Sequence, residues 1–197
     1  MSHNRPKPEE HVQLGRFAPS HVGHAKKARR VKELVGKPPL ILLGSTNVFT
    51  GKPPTDERER AYMMRTPFTS TQRAEMLRLT VGEELEIIEL PDRNPDPKAH
   101  RIDSSLWLAD IKAIEERRGV RFVFHGGAPE DIAVLSTAFE ARVTVDRLTE
   151  GGNVSATQVR KHLERGDEAA LHGLLHHRVV PLALSYYREN LRVILGQ

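Results

Sequence analysis

The sequence predicts an α/β fold: a parallel five-stranded sheet with helices on both faces, followed by further helices at the C-terminus. Three observations carry this reading. Short apolar runs alternate five times with helix-patterned segments, as strand–helix–strand crossovers require. One run, Leu40-Ile41-Leu42-Leu43, is apolar without interruption, which suits a strand covered on both faces. Residues able to hold an anion fall directly after apolar runs, and sheets of this kind bind ligands just outside the carboxyl ends of their strands.

Taken in order, residues 1–10 are polar and contain proline, and read as a loose arm before a single domain over 11–197. His11 to Phe17 reads as the first strand and His24 to Val35 as a helix with a basic face, broken by Pro38-Pro39. Leu40 to Leu43 is the second strand, ending at Gly44. Residues 45–70 are rich in Thr, Pro, Gly and charge and read as one long connection; connections of that length are often functional. Thr71 to Leu79 has a helical pattern, Leu85 to Leu90 reads as the third strand, and residues 91–101 form a polar loop. Ser104 to Arg118 is the next helix, with Leu106, Ala109, Ile111 and Ile114 on its apolar side. Val120 to Phe124 is the fourth strand, stopped by Gly126-Gly127. Pro129 to Phe139 is a helix with its proline in the first turn, where a missing N–H costs nothing. Ala141 to Val145 is the fifth strand, and Ser155 to Arg165 a helix capped by Ser155. Glu168 to His176 and Pro181 to Leu195 complete a helical C-terminal part over 155–197.

Thirty Lys and Arg against 26 Asp and Glu leave a net charge of +4, a mixed surface rather than a polyanion-binding tail. The absence of cysteine excludes a disulfide scaffold and a thiolate nucleophile. No apolar run approaches membrane-spanning length and the N-terminus is polar, so the expected location is the cytoplasm.

Two segments carry chemistry. The first is Gly15-Arg16-Phe17-Ala18-Pro19-Ser20-His21-Val22-Gly23-His24. Two histidines around a glycine at a helix start can face one anion together. Gly23 permits close backbone approach, the helix N-terminus offers free N–H groups, and Arg16 adds a permanent charge. The same residues also suit a plain helix cap with two surface histidines. The second segment is Asn153-Val154-Ser155-Ala156-Thr157-Gln158-Val159-Arg160. Ser155 and Thr157 fall in a first helical turn, with Arg160 in phase with Thr157; a simple N-cap on a solvated helix accounts for them equally well.

Together, HxGH after a first strand and SxTxxR after a fifth identify the chain as a member of the nucleotidyltransferase superfamily. It resembles the archaeal-type nicotinamide mononucleotide adenylyltransferases. Their GRFQPFHxGH is similar to GRFAPSHVGH here, and their second strand ends in Gly-Ser, as Gly44-Ser45 does. Their NPFTxxER is similar to Thr66-Pro67-Phe68-Thr69-Ser70-Thr71-Gln72-Arg73. Their PxPD…NSLW is similar to Leu90-Pro91-Asp92 followed by Asp103-Ser104-Ser105-Leu106-Trp107. Their SGN corresponds to His125-Gly126-Gly127, and their YSGTEVR to Val154 through Arg160. The resemblance spans residues 11–190 in order.

It implies a Rossmann-like domain that binds ATP, with Mg²⁺ on the triphosphate, and adenylylates a mononucleotide. His21, His24 and Arg16 would hold ATP phosphates, Gly15, Phe17 and Gly23 would bring backbone close, and Ser155, Thr157 and Arg160 would bind the β- and γ-phosphates. Trp107 would stack on the nicotinamide ring, with Ser104, Gly126 and Arg73 also on the substrate side. A protonated His24 would stabilise charge at the α-phosphoryl group. Departures fall on the acceptor half: Ala18 replaces glutamine, Ser20 an aromatic, Ser104 and Gly127 asparagines, and residues 48–65 are longer and more basic. Trp107 equally suits a core position on an apolar helix face.

Other readings are a related transferase acting on flavin mononucleotide, phosphopantetheine or a phospho-alcohol, and a non-catalytic nucleotide-binding module. A nucleic-acid surface on Lys26, Lys27, Arg29, Arg30 and Lys32 lacks interleaved aromatics. His172, His176 and His177 have no carboxylate or cysteine pattern that would make a metal site, and His100 lies in the polar loop. The apolar stretch Val180 to Leu195 offers a surface for a homo-oligomer.

Overall fold

The computed structural model describes residues 6–93, 104–127, 129–145 and 154–197. Residues 94–101 of the expected polar loop, with Asp103 and Asn153, lie outside the described residues. Strand β1 is Glu9–Gly15, followed by helix α1 Val22–Val35, β2 Leu40–Gly44, α2 Glu57–Met63 and α3 Ser70–Val81. Then come β3 Ile87–Leu90, α4 Ser104–Arg118, β4 Arg121–Gly126, α5 Pro129–Leu135 and β5 Glu140–Val143. Helices α6 Ala156–Arg165, α7 Glu168–Leu174 and α8 Val179–Leu195 end the chain.

The five strands pair in parallel in the order β3-β2-β1-β4-β5. Every residue of β2 is buried, as its unbroken apolar run requires. Period-two alternation sorts the central strands between two cores. Val12, Leu40, Leu42, Phe122 and Phe124 meet Ile111 and Ile114 of α4 and Leu135 of α5 on one face. Ile41 and Leu43 meet Phe17 and α3 residues Ala74 and Leu77 on the other. A third core, from Phe68, Met76, Val159, Leu163, Leu171, Val180, Ala183 and Tyr187, ties α6, α7 and α8 to α3. No helix among the described residues is long and apolar enough to cross a membrane.

Several boundaries differ from expectation for local reasons. β1 begins at Glu9 inside the expected arm, because Glu9 pairs with Arg121 and Glu10 takes two bonds from Arg118 at 2.6 and 2.7 Å. The strand ends at Gly15, since Phe17 is left-handed (φ 50°). The stretch 45–70 contains α2, whose N-cap Asp56 accepts from Glu59 N–H at 2.8 Å. The buried stripe of α4 runs through Trp107, Ile111 and Ile114, whereas Leu106 and Ala109 face solvent. α5 stops at Leu135, freeing Phe139 to pack in the core, and β5 starts at Glu140. α8 starts at Val179, before Pro181, which sits in a first turn where no N–H partner is needed.

Candidate active site

Strand order reverses between β1 and β4, so their carboxyl ends, Gly15 and Gly126, flank the crevice where ligands of such sheets bind. The turn leaving β1 is tightly fixed. A Cβ on Gly15 would stand 3.3 Å from the Phe17 ring, so glycine lets that ring fold back beneath the turn. Phe17 is only 2% exposed and packs with Ile41, Leu43 and Leu77. Burying a phenylalanine is worth about 2–3 kcal/mol, which offsets the cost of about 1–2 kcal/mol for its left-handed backbone. Arg16 therefore projects into solvent while its neighbour is anchored in the core. The Ala18–Pro19 bond is cis.

His21 is the N-cap of α1, and its Nδ1 accepts the Gly23 N–H at 3.2 Å. His24 closes the box in return, its Nδ1 accepting the His21 N–H at 3.1 Å. The two rings stack with centroids 3.8 Å apart, and His24 also meets the Phe17 ring at 4.7 Å. The expected helix cap is formed, by both histidines together. Acceptance at Nδ1 places the proton of each neutral ring at Nε2. With its Nδ1 taken up as an acceptor, His24 has Nε2 as its donating end.

Ser155 caps α6, its Oγ accepting the Gln158 N–H at 3.2 Å. Arg160 is half-buried and forks, donating from Nη1 to the Ala18 carbonyl at 2.9 Å and from Nη2 to Thr157 Oγ1 at 3.1 Å. Burial lowers its pKa, followed by the nearby charge of Arg16 and, more weakly, of Arg65. Two segments far apart in sequence are thereby joined at one place, with Arg16, Arg65 and Arg160 around it.

The substrate-side residues divide. Gly126 closes β4, and a Cβ there would stand 2.5 Å from Ile132 Cδ1, so glycine lets α5 approach the strand end. Trp107 lies near the start of α4, half-buried against the core under the sheet. α4 begins at Ser104, whose side chain lies outside the described residues. Arg73, assigned to substrate by the resemblance, has no exposed surface; its guanidinium donates to backbone carbonyls inside the protein.

Two polar clusters at the strand ends escaped the sequence reading. Buried Asp92 accepts from Ser45 Oγ at 3.0 Å and from Tyr62 Oη, while Asn47 bonds its backbone on both sides, at 2.8 and 3.1 Å. Burial, and then the bond to Asp92, raises the Tyr62 pKa. The cluster binds α2 and the loop after β2 to the end of β3. Asp56 followed by Glu57 and Glu59 is a helix-start signal that would have found α2, but nothing local in the sequence shows that Tyr62 reaches Asp92. In the second cluster, His125 in β4 lies 2.8 Å from His11 Nδ1 and 2.5 Å from Thr144 Oγ1. Burial first, then the charges of His11, Arg142 and Lys27, push the His125 pKa down to about 4.

A family model described as cytidylyltransferase-like matches residues 12–162, which include both the β1–α1 turn and the capped start of α6. A comparison with curated proteins found no match. With its sheet, its crevice and these two segments brought together, the chain belongs to the cytidylyltransferase-like family and is a nucleotidyltransferase.

Proposed function

We propose that the protein transfers AMP from ATP to nicotinamide mononucleotide, giving NAD and pyrophosphate. The observation that carries nucleotidyl transfer is the bond from Arg160 to the Ala18 carbonyl: it joins the SxTxxR segment to the HxGH turn, as a shared triphosphate site requires. The acceptor assignment rests on the resemblance and on Trp107, whose half-exposed indole near the start of α4 suits a cationic pyridinium ring.

In this reading the acceptor's phosphate oxygen attacks the α-phosphorus of ATP in line, and the bond to the β-phosphate oxygen breaks as pyrophosphate leaves. The nucleophile is already ionised at neutral pH, so the chain supplies position and charge rather than a base. His21 and His24 donate from Nε2 towards phosphoryl oxygens. Arg16 and Arg160 hold the leaving pyrophosphate, and the Ser155 cap offers α6 backbone N–H groups to it. The reading includes a magnesium ion carried in mainly by the triphosphate's own oxygens. Bound there, it would neutralise triphosphate charge.

A second reading is cytidylyl transfer to a phospho-alcohol, favoured by the description of the matching family and by the departures at Ser20 and Ser104. Pyrophosphate release is the test, run with ATP and with CTP against nicotinamide, nicotinic acid and flavin mononucleotides and phosphocholine. Release with ATP and nicotinamide mononucleotide, with NAD forming in step, is the expected result. Release only with CTP would replace the proposal by the second reading.

A further inference from the structure

Among the described residues Arg73 is the largest fully buried side chain, and it carries a charge. A buried guanidinium normally faces a carboxylate. Among the described residues Arg73 has no such ion pair, although Glu89 and Asp92 act on it through space. Its bonds go instead to three backbone carbonyls. Nη1 donates to Arg16 O and Gly44 O, both at 2.7 Å, and Nη2 to Ser45 O at 3.0 Å. Nε has no partner.

Those carbonyls are not arbitrary. Among the described residues two non-glycine positions have positive φ: Phe17 at 50° and Ser45 at 56°. Phe17 directly follows the carbonyl of Arg16. Ser45 directly follows that of Gly44 and supplies the third carbonyl itself. One side chain therefore grips both left-handed turns, at the carboxyl ends of β1 and β2. Backbone of this kind persists only where surrounding structure over-determines it. The grip also sets peptide direction. These peptide bonds are trans, and C=O and N–H point oppositely across a trans peptide. Gathering the three carbonyls turns the N–H groups of Phe17, Ser45 and Thr46 away from Arg73.

The helix carrying Arg73 is itself held. Thr69 and Gln72 form a reciprocal capping box at the start of α3. Asn190 of α8 donates to Gln72 Oε1 at 2.7 Å and to the Pro67 carbonyl at 2.9 Å.

We infer that Arg73 is a positioning residue: it holds the left-handed turns after β1 and β2 and thereby aims Arg16 and the backbone N–H groups of the nucleotide crevice. The clause about the crevice rests on the nucleotidyltransfer reading; the holding of the two turns does not.

The test has two arms. In the first, Arg73→Lys, Ser45→Gly and the double variant are compared with wild type by equilibrium unfolding. Glycine adopts a left-handed turn without help. Arg73→Lys is therefore expected to lower the folding equilibrium constant by a factor about fivefold smaller when position 45 is glycine. The cycle cancels the Ser45–Asp92 bond, and it needs only measurable unfolding, not a fully populated native state. Additive losses would overturn the inference. In the second arm, nucleotide turnover of Arg73→Lys is expected to fall about 100-fold in kcat/KM, with the backbone carbon NMR shifts of Phe17 and Ser45 leaving their left-handed values. Wild-type turnover with both shifts retained would also overturn it. A wild-type protein inert towards every nucleotide would sink the catalytic reading alone, leaving the first arm to judge Arg73.

Discussion

Acid should weaken this fold at one identifiable place. His125 is 3% exposed and sits between His11 and Thr144, with Glu9 of β1, Lys27 of α1, and Glu140 and Arg142 of β5 around the pair. Its pKa falls from 6.5 to about 4, and that of His11 falls as well, burial being the first cause in both. The sign follows from proton counting. Between those two values the unfolded chain binds a proton at His125 that the native state refuses, so stability rises with pH across that window. The contribution is complete above pH 6.5 and is lost as pH falls towards 4. A shift of this size corresponds to about 3 kcal/mol at most, with a slope of about 1.4 kcal/mol per pH unit. His125→Gln keeps hydrogen-bonding capacity and removes the titration. Urea unfolding between pH 7 and 4.5, followed by far-ultraviolet circular dichroism, should show wild type losing about 2–3 kcal/mol more than the variant. Carboxylates with lowered pKa, Glu140 and Asp167, weaken at lower pH in both proteins and cancel. Parallel curves for the two proteins would refute the reasoning, because the buried pair would then take its proton without cost.

Two further expectations concern the crevice. Arg160→Lys keeps the charge but cannot fork to Ala18 and Thr157 together. It should lower kcat/KM for the nucleotide about 100-fold while costing about 1–2 kcal/mol of stability. Pyrophosphate release with an unchanged kcat/KM would show the bond to Ala18 to be idle. Trp107→Leu retains an apolar contact with the core under α4, so its stability cost should stay near 1–2 kcal/mol. If the indole stacks on the acceptor, KM for the acceptor rises about tenfold and KM for the nucleotide does not; equal changes in both would assign Trp107 to packing alone.

The sheet was legible because its evidence is local. β2 shows burial on both faces in five consecutive residues, and Ser155 forms the helix cap its type suits. Errors came where tertiary partners decide. The extension of β1 to Glu9 depends on Arg118 and Arg121, more than a hundred residues along the chain. The pattern of α4 admits both Leu106 and Trp107 on its apolar side, and the sheet it covers takes Trp107 inward and leaves Leu106 exposed. Tyr62 meets Asp92 only because α2 folds back over the end of β3.

Residue type and spacing locate a site without saying which side chains face the ligand and which hold the others in place. His21 and His24 do both: the bonds that cap α1 consume Nδ1 on each ring, and that consumption leaves Nε2–H as the donating end. The histidines are thus fixed in direction by the same bonds that start the helix, and an asparagine or serine cap would give the helix its start without the donor. Arg73 is the opposite case. It stands in a segment whose resemblance assigns it to substrate, yet every donor it uses is spent on carbonyls of β1 and β2 turns. Burial is what separates the two. A cation with three carbonyl partners and no solvent cannot reach a ligand, but it can decide where Arg16 points.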